Sequence, residues 1–283
     1  MSFQEHIFID ESALYRSSQK DLSLFVYIGK TFLQYIYYQA KTKQVLYLSH
    51  IHTINSSINE SHLEEVLNCS LYQNVDEVYI TFDGIKHILV PLPIYSNKHH
   101  LSYFKHIHNI ENDELIMTQL PRENLIELFV IKEKSKKLIN NKFSNVHILN
   151  LSACLLSQYF EVIKNNFNLQ NILFLFCSED TLYLTLFQHK ELIYHFSFDI
   201  ESPQDILYNL LNLVQNKNVK LQESHFILSG FNSKQNEIAD LLNEYFPIET
   251  FEQSMLKNNT FNNYNDFPIH ILFNVYSIIK CVS

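Results

Sequence analysis

Residues 22–51 and residues 171–198 of this chain carry one pattern twice: three runs of aromatic and aliphatic residues separated by short polar turns. In the first, Leu22–Ile28, Phe32–Tyr38 and Val45–Ile51 are divided by Gly29-Lys30-Thr31 and Lys41-Thr42-Lys43. In the second, Ile172–Phe176, Leu182–Phe187 and Leu192–Phe198 are divided by Ser178-Glu179-Asp180 and Gln188-His189-Lys190. Each triplet is expected to fold as a meander, and each is followed by helix and strand patterns in similar order. Such a repeat predicts a duplicated α/β architecture, with one βββαβα unit in each half.

The remaining elements follow from local signals. Ser61 caps an expected helix, with Glu64 completing a capping box and Leu63, Val66, Leu67 and Leu71 on one face. Val78–Phe82 reads as a buried strand. An irregular insertion spans about residues 84–120, broken by Pro91 and Pro93, with short strands expected at Leu101–Ile107 and Leu115–Thr118. Pro121 reads as the first-turn proline of a helix bearing Leu125, Leu128 and Phe129. Val146–Leu149 reads as a strand and Ala153–Phe167 as a helix bridging the halves, which divide the chain into 1–150 and 151–283.

In the second half Ser202 and Pro203 open a helix carrying Ile206, Leu207, Leu210, Leu211 and Val214. A strand at His225–Leu228 ends in Ser229-Gly230. A helix with Ile238, Leu241, Leu242 and Tyr245 follows, and then a short strand at Ile248–Phe251. Asn258–Asp266 reads as a loop, and Pro268 starts an apolar helix to about Lys280.

Charge and composition narrow the function. A chain of 283 residues, 46% hydrophobic and 14% aromatic, supports two substantial cores. Its net charge of −9 argues against nucleic acid as a partner, because phosphate binding draws on clustered Lys and Arg. The densest basic run, Lys132 to Lys142, falls at the expected C-terminal end of the helix after Pro121, where cations complement the helix dipole. Cys69, Cys154, Cys177 and Cys281 form no CxxC pair, and three of the four lie in apolar surroundings, as expected of reduced, buried thiols. The first residues, with Glu5, His6, Asp10 and Glu11, carry no secretory-signal pattern, and no apolar run reaches the ~20 residues of a membrane span. A cytoplasmic protein without a membrane span is expected.

Four short passages carry a resemblance: Leu22-Ser23-Leu24, Leu89-Val90-Pro91, His147-Ile148-Leu149 and Ile227-Leu228-Ser229-Gly230. With the order of elements, they make the chain resemble a family of uncharacterised Bacteroidota proteins, a domain of unknown function. More broadly it resembles the actin-like superfamily, which includes actin, Hsp70, sugar kinases, PilM and FtsA. The resemblance implies duplicated ribonuclease-H-like halves in an actin-like ATPase architecture. It brings no reaction with it.

In ATP-binding members of that superfamily two Asp-x-Gly turns grip the phosphates, and a glycine-rich turn admits the adenosine. Glycine lets backbone approach phosphate, and the aspartates hold the metal. At the first corresponding turn, Gly29 and Thr31 are kept while Tyr27 stands where aspartate is expected. The second, Ser178-Glu179-Asp180, keeps an acid at Asp180 but has no glycine. The third keeps Gly230 and follows it with Phe231. The resemblance thus implies a vestigial nucleotide cleft at Tyr27, Gly29, Thr31, Asp180, Gly230 and Phe231, with the two aromatic rings filling it.

Other chemistries find less support. His50 and His52, or His106 and His108, would share a strand face as half a zinc site, and His99-His100 lies near the second pair, yet no partner ligands stand at set spacing. Asp83, Glu179, Asp180 and Asp199 are candidate acids for a nuclease or a glycosidase. The first meander, where a nuclease needs one, has none between Leu22 and Tyr38. The final apolar helix has only Lys280 as a cation, so packing within the chain or onto a partner fits it better than a membrane surface. The expected function is that of a non-enzymatic pseudo-ATPase, a protein-interaction or assembly scaffold with no cofactor, a protein partner, and self-assembly left open. The alternative is a Mg-ATP-binding ATPase or small-molecule kinase with atypical phosphate loops.

Overall fold

The structure, a computed structural model, describes residues 3–9, 21–53, 75–110, 113–120, 123–166, 171–230, 234–251 and 273–282. The expected helix at residues 61–71, Cys69, Phe231, the Asn-rich loop and Pro268 lie outside these. The chain divides into two compact units, Met1–Cys154 with the last two residues, and Leu155–Cys281.

In the first unit, strands β1 (Phe3–Ile9), β2 (Leu22–Ile28), β3 (Phe32–Gln39), β4 (Gln44–Thr53), β5 (Glu77–Phe82), β6 (His87–Pro91), β7 (Asp113–Leu120), β8 (Leu125–Lys132) and β9 (Val146–Asn150) build two sheets. The main sheet runs β1-β4-β3-β2-β5-β9. β2, β3 and β4 form the antiparallel meander, whereas β5 and β9 add in parallel to β2 and β5. β1, which the sequence reading does not foresee, pairs antiparallel with β4.

In the second unit, β10 (Asn171–Cys177), β11 (Thr181–Gln188), β12 (Glu191–Asp199), β13 (Ser224–Ser229) and β14 (Ile248–Thr250) run β12-β11-β10-β13-β14. This is the first sheet's order without β1. Central strand β10 is buried at every position, which explains its unbroken apolar sequence. His189 and Lys190 both take positive φ in the tight two-residue turn between β11 and β12.

The helices are α1 (His100–Lys105), α2 (Glu133–Lys142), α3 (Leu151–Asn166), α4 (Pro203–Asn216), α5 (Gln235–Asn243) and α6 (Phe273–Val282). α4 begins as its sequence predicts, and Asp205 Oδ2 accepts hydrogen bonds from the Ser202 N–H at 2.8 Å and the Ser202 hydroxyl at 3.0 Å. Leu173, Leu184, Ile206, Leu210, Phe226 and Leu242 meet in the core of this unit. Tyr159 of α3 stacks on Phe174 at 4.1 Å and on Phe273 of α6 at 5.5 Å. Phe273–Ile279 of α6 is buried, so the final apolar helix packs within the chain.

Several expectations in and beside the insertion are corrected. Leu125, Leu128 and Phe129 belong to strand β8, not to a helix. β8 is the middle strand of the three-stranded sheet β6-β8-β7 and is covered on both faces, so its apolar run imitates helical spacing. Residues 101–107 are not a strand; most form the short helix α1, which anchors itself through fully buried Phe104 while Leu101 and Ile107 stay exposed. His106 and His108 therefore share no strand face. The basic run coincides with α2 from its first turn instead of ending a longer helix. Glu133 in that turn pairs with Lys137, and Lys136 reaches Glu114 of β7.

Candidate functional site

The two hairpin turns flagged by sequence share one backbone hydrogen bond. Gly29 N–H donates to the Phe32 carbonyl at 2.9 Å, and Ser178 N–H donates to the Thr181 carbonyl at 2.9 Å. Ile28 pairs with Leu33 and Cys177 with Leu182, so Lys30-Thr31 and Glu179-Asp180 form equivalent tips, and Ser178 holds the place of Gly29. Ser178 Oγ also accepts the Thr181 N–H at 3.1 Å, which fastens the second turn with a side chain.

In the first unit, strand pairing sets four buried polar residues in a row across the sheet. His50 of β4 pairs with Gln34 of β3, Gln34 with Tyr27 of β2, and Tyr27 with Thr81 of β5. Gln34 Nε2 lies 3.0 Å from His50 Nδ1, and the Tyr27 hydroxyl donates to Asp83 Oδ2 at 2.9 Å. Asp83 follows β5, and its own N–H donates to the Ile28 carbonyl at 2.9 Å. The sequence reading weighed Asp83 as a candidate acid for a nuclease or glycosidase and as a turn residue, not as a partner of Tyr27. Its place where β5 ends beside β2 is the signal that could have tied it to Tyr27.

Phe32 completes this group. Its ring meets Tyr27 edge-on at 5.1 Å and stacks on His50 at 5.3 Å. The ring also fills the space that a side chain on Gly29 would need: a Cβ built there would lie 2.2 Å from the ring. The first-turn glycine thus accommodates an aromatic ring of the protein itself.

Gly230 has a separate structural reason. Its φ of +119° disfavours any other residue, and a Cβ there would stand 2.1 Å from the Cys177 carbonyl oxygen. It therefore lies against the strand end that leads to the turn bearing Asp180. Of the predicted site residues, Tyr27, Gly29 and Thr31 belong to the first unit and Asp180 and Gly230 to the second. Cys177 is fully buried, and desolvation pushes its thiol up to about 12. Among the described residues no group of three or more His, Cys, Asp or Glu side chains could hold a metal ion. None of the described helices is long and apolar enough to cross a membrane.

Comparison with known proteins agrees with this architecture. Residues 10–248 match the profile of a family described as "Protein of unknown function (DUF3822)". Curated proteins give no significant match. Among solved structures, a Bacteroides thetaiotaomicron protein with an actin-like ATPase fold and unknown function is similar with a TM-score of 0.73 and 14% identity, over 93% of this chain and 97% of that one. A chain of the PilM–PilN type IV pilus biogenesis complex is similar with a TM-score of 0.59 and 13% identity, over 92% of this chain and 98% of that one. These likenesses show an actin-like ATPase fold.

Proposed function

This chain belongs to the DUF3822 family, and on that premise we propose that it is a pseudo-ATPase, an actin-like protein that works as an interaction or assembly scaffold without turning over nucleotide. The observation that carries the reading is the occupation of the first hairpin. Phe32 fills the space over Gly29, and the Gly29 N–H is committed to the Phe32 carbonyl. Tyr27 stands where ATP-binding relatives place a metal-holding aspartate, and it bonds the nearby Asp83. A phosphate brought into the space over Gly29 would have to displace a buried aromatic ring, losing about 1.5–3 kcal/mol of burial.

The second hairpin supports the same reading. Ser178 replaces the glycine that would admit phosphate and uses its hydroxyl to close its own turn. Gly230 is explained by its backbone geometry without any nucleotide. A scaffold role fits a fold shared with a chain of the PilM–PilN complex, and a protein partner is the expected ligand.

Thermal denaturation with and without Mg-ATP tests the proposal, because a ligand of the native state raises the melting temperature by mass action. No magnesium-dependent rise is expected. A reproducible rise would overturn the proposal in favour of a nucleotide-binding ATPase or small-molecule kinase with atypical loops. Affinity capture from the native host, followed by reconstitution with each purified candidate, would then identify the partner.

A further inference from the structure

Within the first unit a cavity of about 340 Å³ opens beside the polar row, walled by the β2–β3 turn, the β5–β6 turn, the start of β7, the end of β8 and the first turn of α2. That volume lies in the lower part of the range of about 300–1,000 Å³ found for small-molecule sites. Phe82, Ile85, Val130 and Ile131 give it an apolar lining.

The polar part of the wall is basic in balance. Lys30, Lys86 and Lys132 face it, against Asp83, which holds Tyr27, and Asp113, which sits opposite Lys132 in the β7–β8 pairing. Three cations against two anions is a local reversal on a chain whose net charge is −9. Ser135 supplies a second, independent pointer. It lines the cavity, is nine-tenths buried, and its hydroxyl has no partner among the described residues. A hydroxyl that makes no bond within the wall is open to an acceptor in the cavity.

We propose that this cavity binds a small amphipathic acid. Its carboxylate or phosphate group is held by Ser135 and by the ammonium groups of Lys86 and Lys132. Its apolar body lies against Ile85, Val130 and Ile131. The site lies wholly within the first unit and takes a ligand other than nucleotide, so it goes beyond the pseudo-ATPase reading.

Calorimetric titration of the full chain with octanoate, octyl phosphate and octanol tests this. Both acids are expected to bind saturably, more weakly as salt screens the lysines, and octanol far more weakly with no salt dependence. Preference between the two acids tells carboxylate from phosphate. The double variant Lys86→Gln/Lys132→Gln changes two exposed side chains and should keep the wild-type melting temperature while weakening both acids about fivefold. Ser135→Ala should weaken them further and leave octanol unchanged. Equal binding of octanol and the acids, unchanged acid affinity in the double variant, or no saturable binding by either acid would each overturn the proposal. Mg-ATP run in parallel keeps the two readings apart, since magnesium-dependent ATP binding would count against the pseudo-ATPase and not against this site.

Discussion

The hydroxyl of Tyr27 and the carboxylate of Asp83, 56 residues apart in sequence, meet at 2.9 Å in the buried end of the first sheet. Tyr27→Phe removes that bond while keeping the ring beside Phe32. It should cost about 1–3 kcal/mol in urea unfolding. Tyr27→Asp would set two buried carboxylates side by side and should cost more, without creating magnesium-dependent ATP binding. A stable Tyr27→Asp protein whose melting temperature rises with Mg-ATP would show that the site needs only its aspartate restored.

The two candidate-site glycines should differ in their response to alanine. Gly230→Ala meets backbone at positive φ, where nothing can yield, and should cost about 3 kcal/mol or more. The nearest atoms that Gly29→Ala meets are those of the Phe32 ring, at a φ outside the left-handed region. Its cost should therefore fall in a Phe32→Leu background, and a double-mutant cycle should return a clear coupling energy. Additive effects of the two substitutions would show that the ring does not occupy the space over Gly29.

Buried His87 should make stability depend on pH. Its pKa is lowered from 6.5 to about 4, chiefly by desolvation; the bond to the Ile85 carbonyl opposes the shift, and the neighbouring His108 adds to it. Above about pH 6.5 the imidazole is neutral in folded and unfolded chains alike. Between there and pH 4 only the unfolded chain takes up the proton, so stability falls as pH falls, by about 3 kcal/mol across the window. Unfolding curves of His87→Asn should lose this component relative to the parent chain.

Thiol labelling should separate the cysteines. Cys154 and Cys177 are fully buried, and Cys177 has a strongly raised pKa, whereas Cys281 is partly exposed. Of these three described cysteines, alkylation under native conditions, read peptide by peptide, should modify Cys281 first and reach Cys154 and Cys177 only as denaturant unfolds the chain. Early labelling of Cys177 would contradict the packing of the second sheet.

The repeat was legible because both meanders announce themselves twice, through aromatic and β-branched strands and through polar turns. The insertion was harder to read. β8 is sandwiched in its own small sheet, and a strand covered on both faces has no alternation to distinguish it from a helix. Helix α1 fully buries one side chain, Phe104, too little to set a period. At the candidate site the turn sequences were visible, but their consequences depended on packing. That Phe32 would fold over Gly29 is a matter of ring placement in three dimensions. That Tyr27 would find Asp83 depended on a parallel strand arriving from beyond position 75.

The row His50, Gln34, Tyr27 and Thr81 also acts as a key for strand alignment. Sliding β3 by one residue would put Leu33 or Tyr35 beside His50 and send the Gln34 amide to the opposite, apolar face of the sheet. Sliding β2 would take the Tyr27 hydroxyl away from Asp83. Each misaligned sheet would bury polar groups without partners, whereas a purely aliphatic row would tolerate the slip more cheaply. These polar residues therefore decide which of several nearly equivalent strand pairings the first sheet adopts, whatever ligand the neighbouring turn does or does not hold.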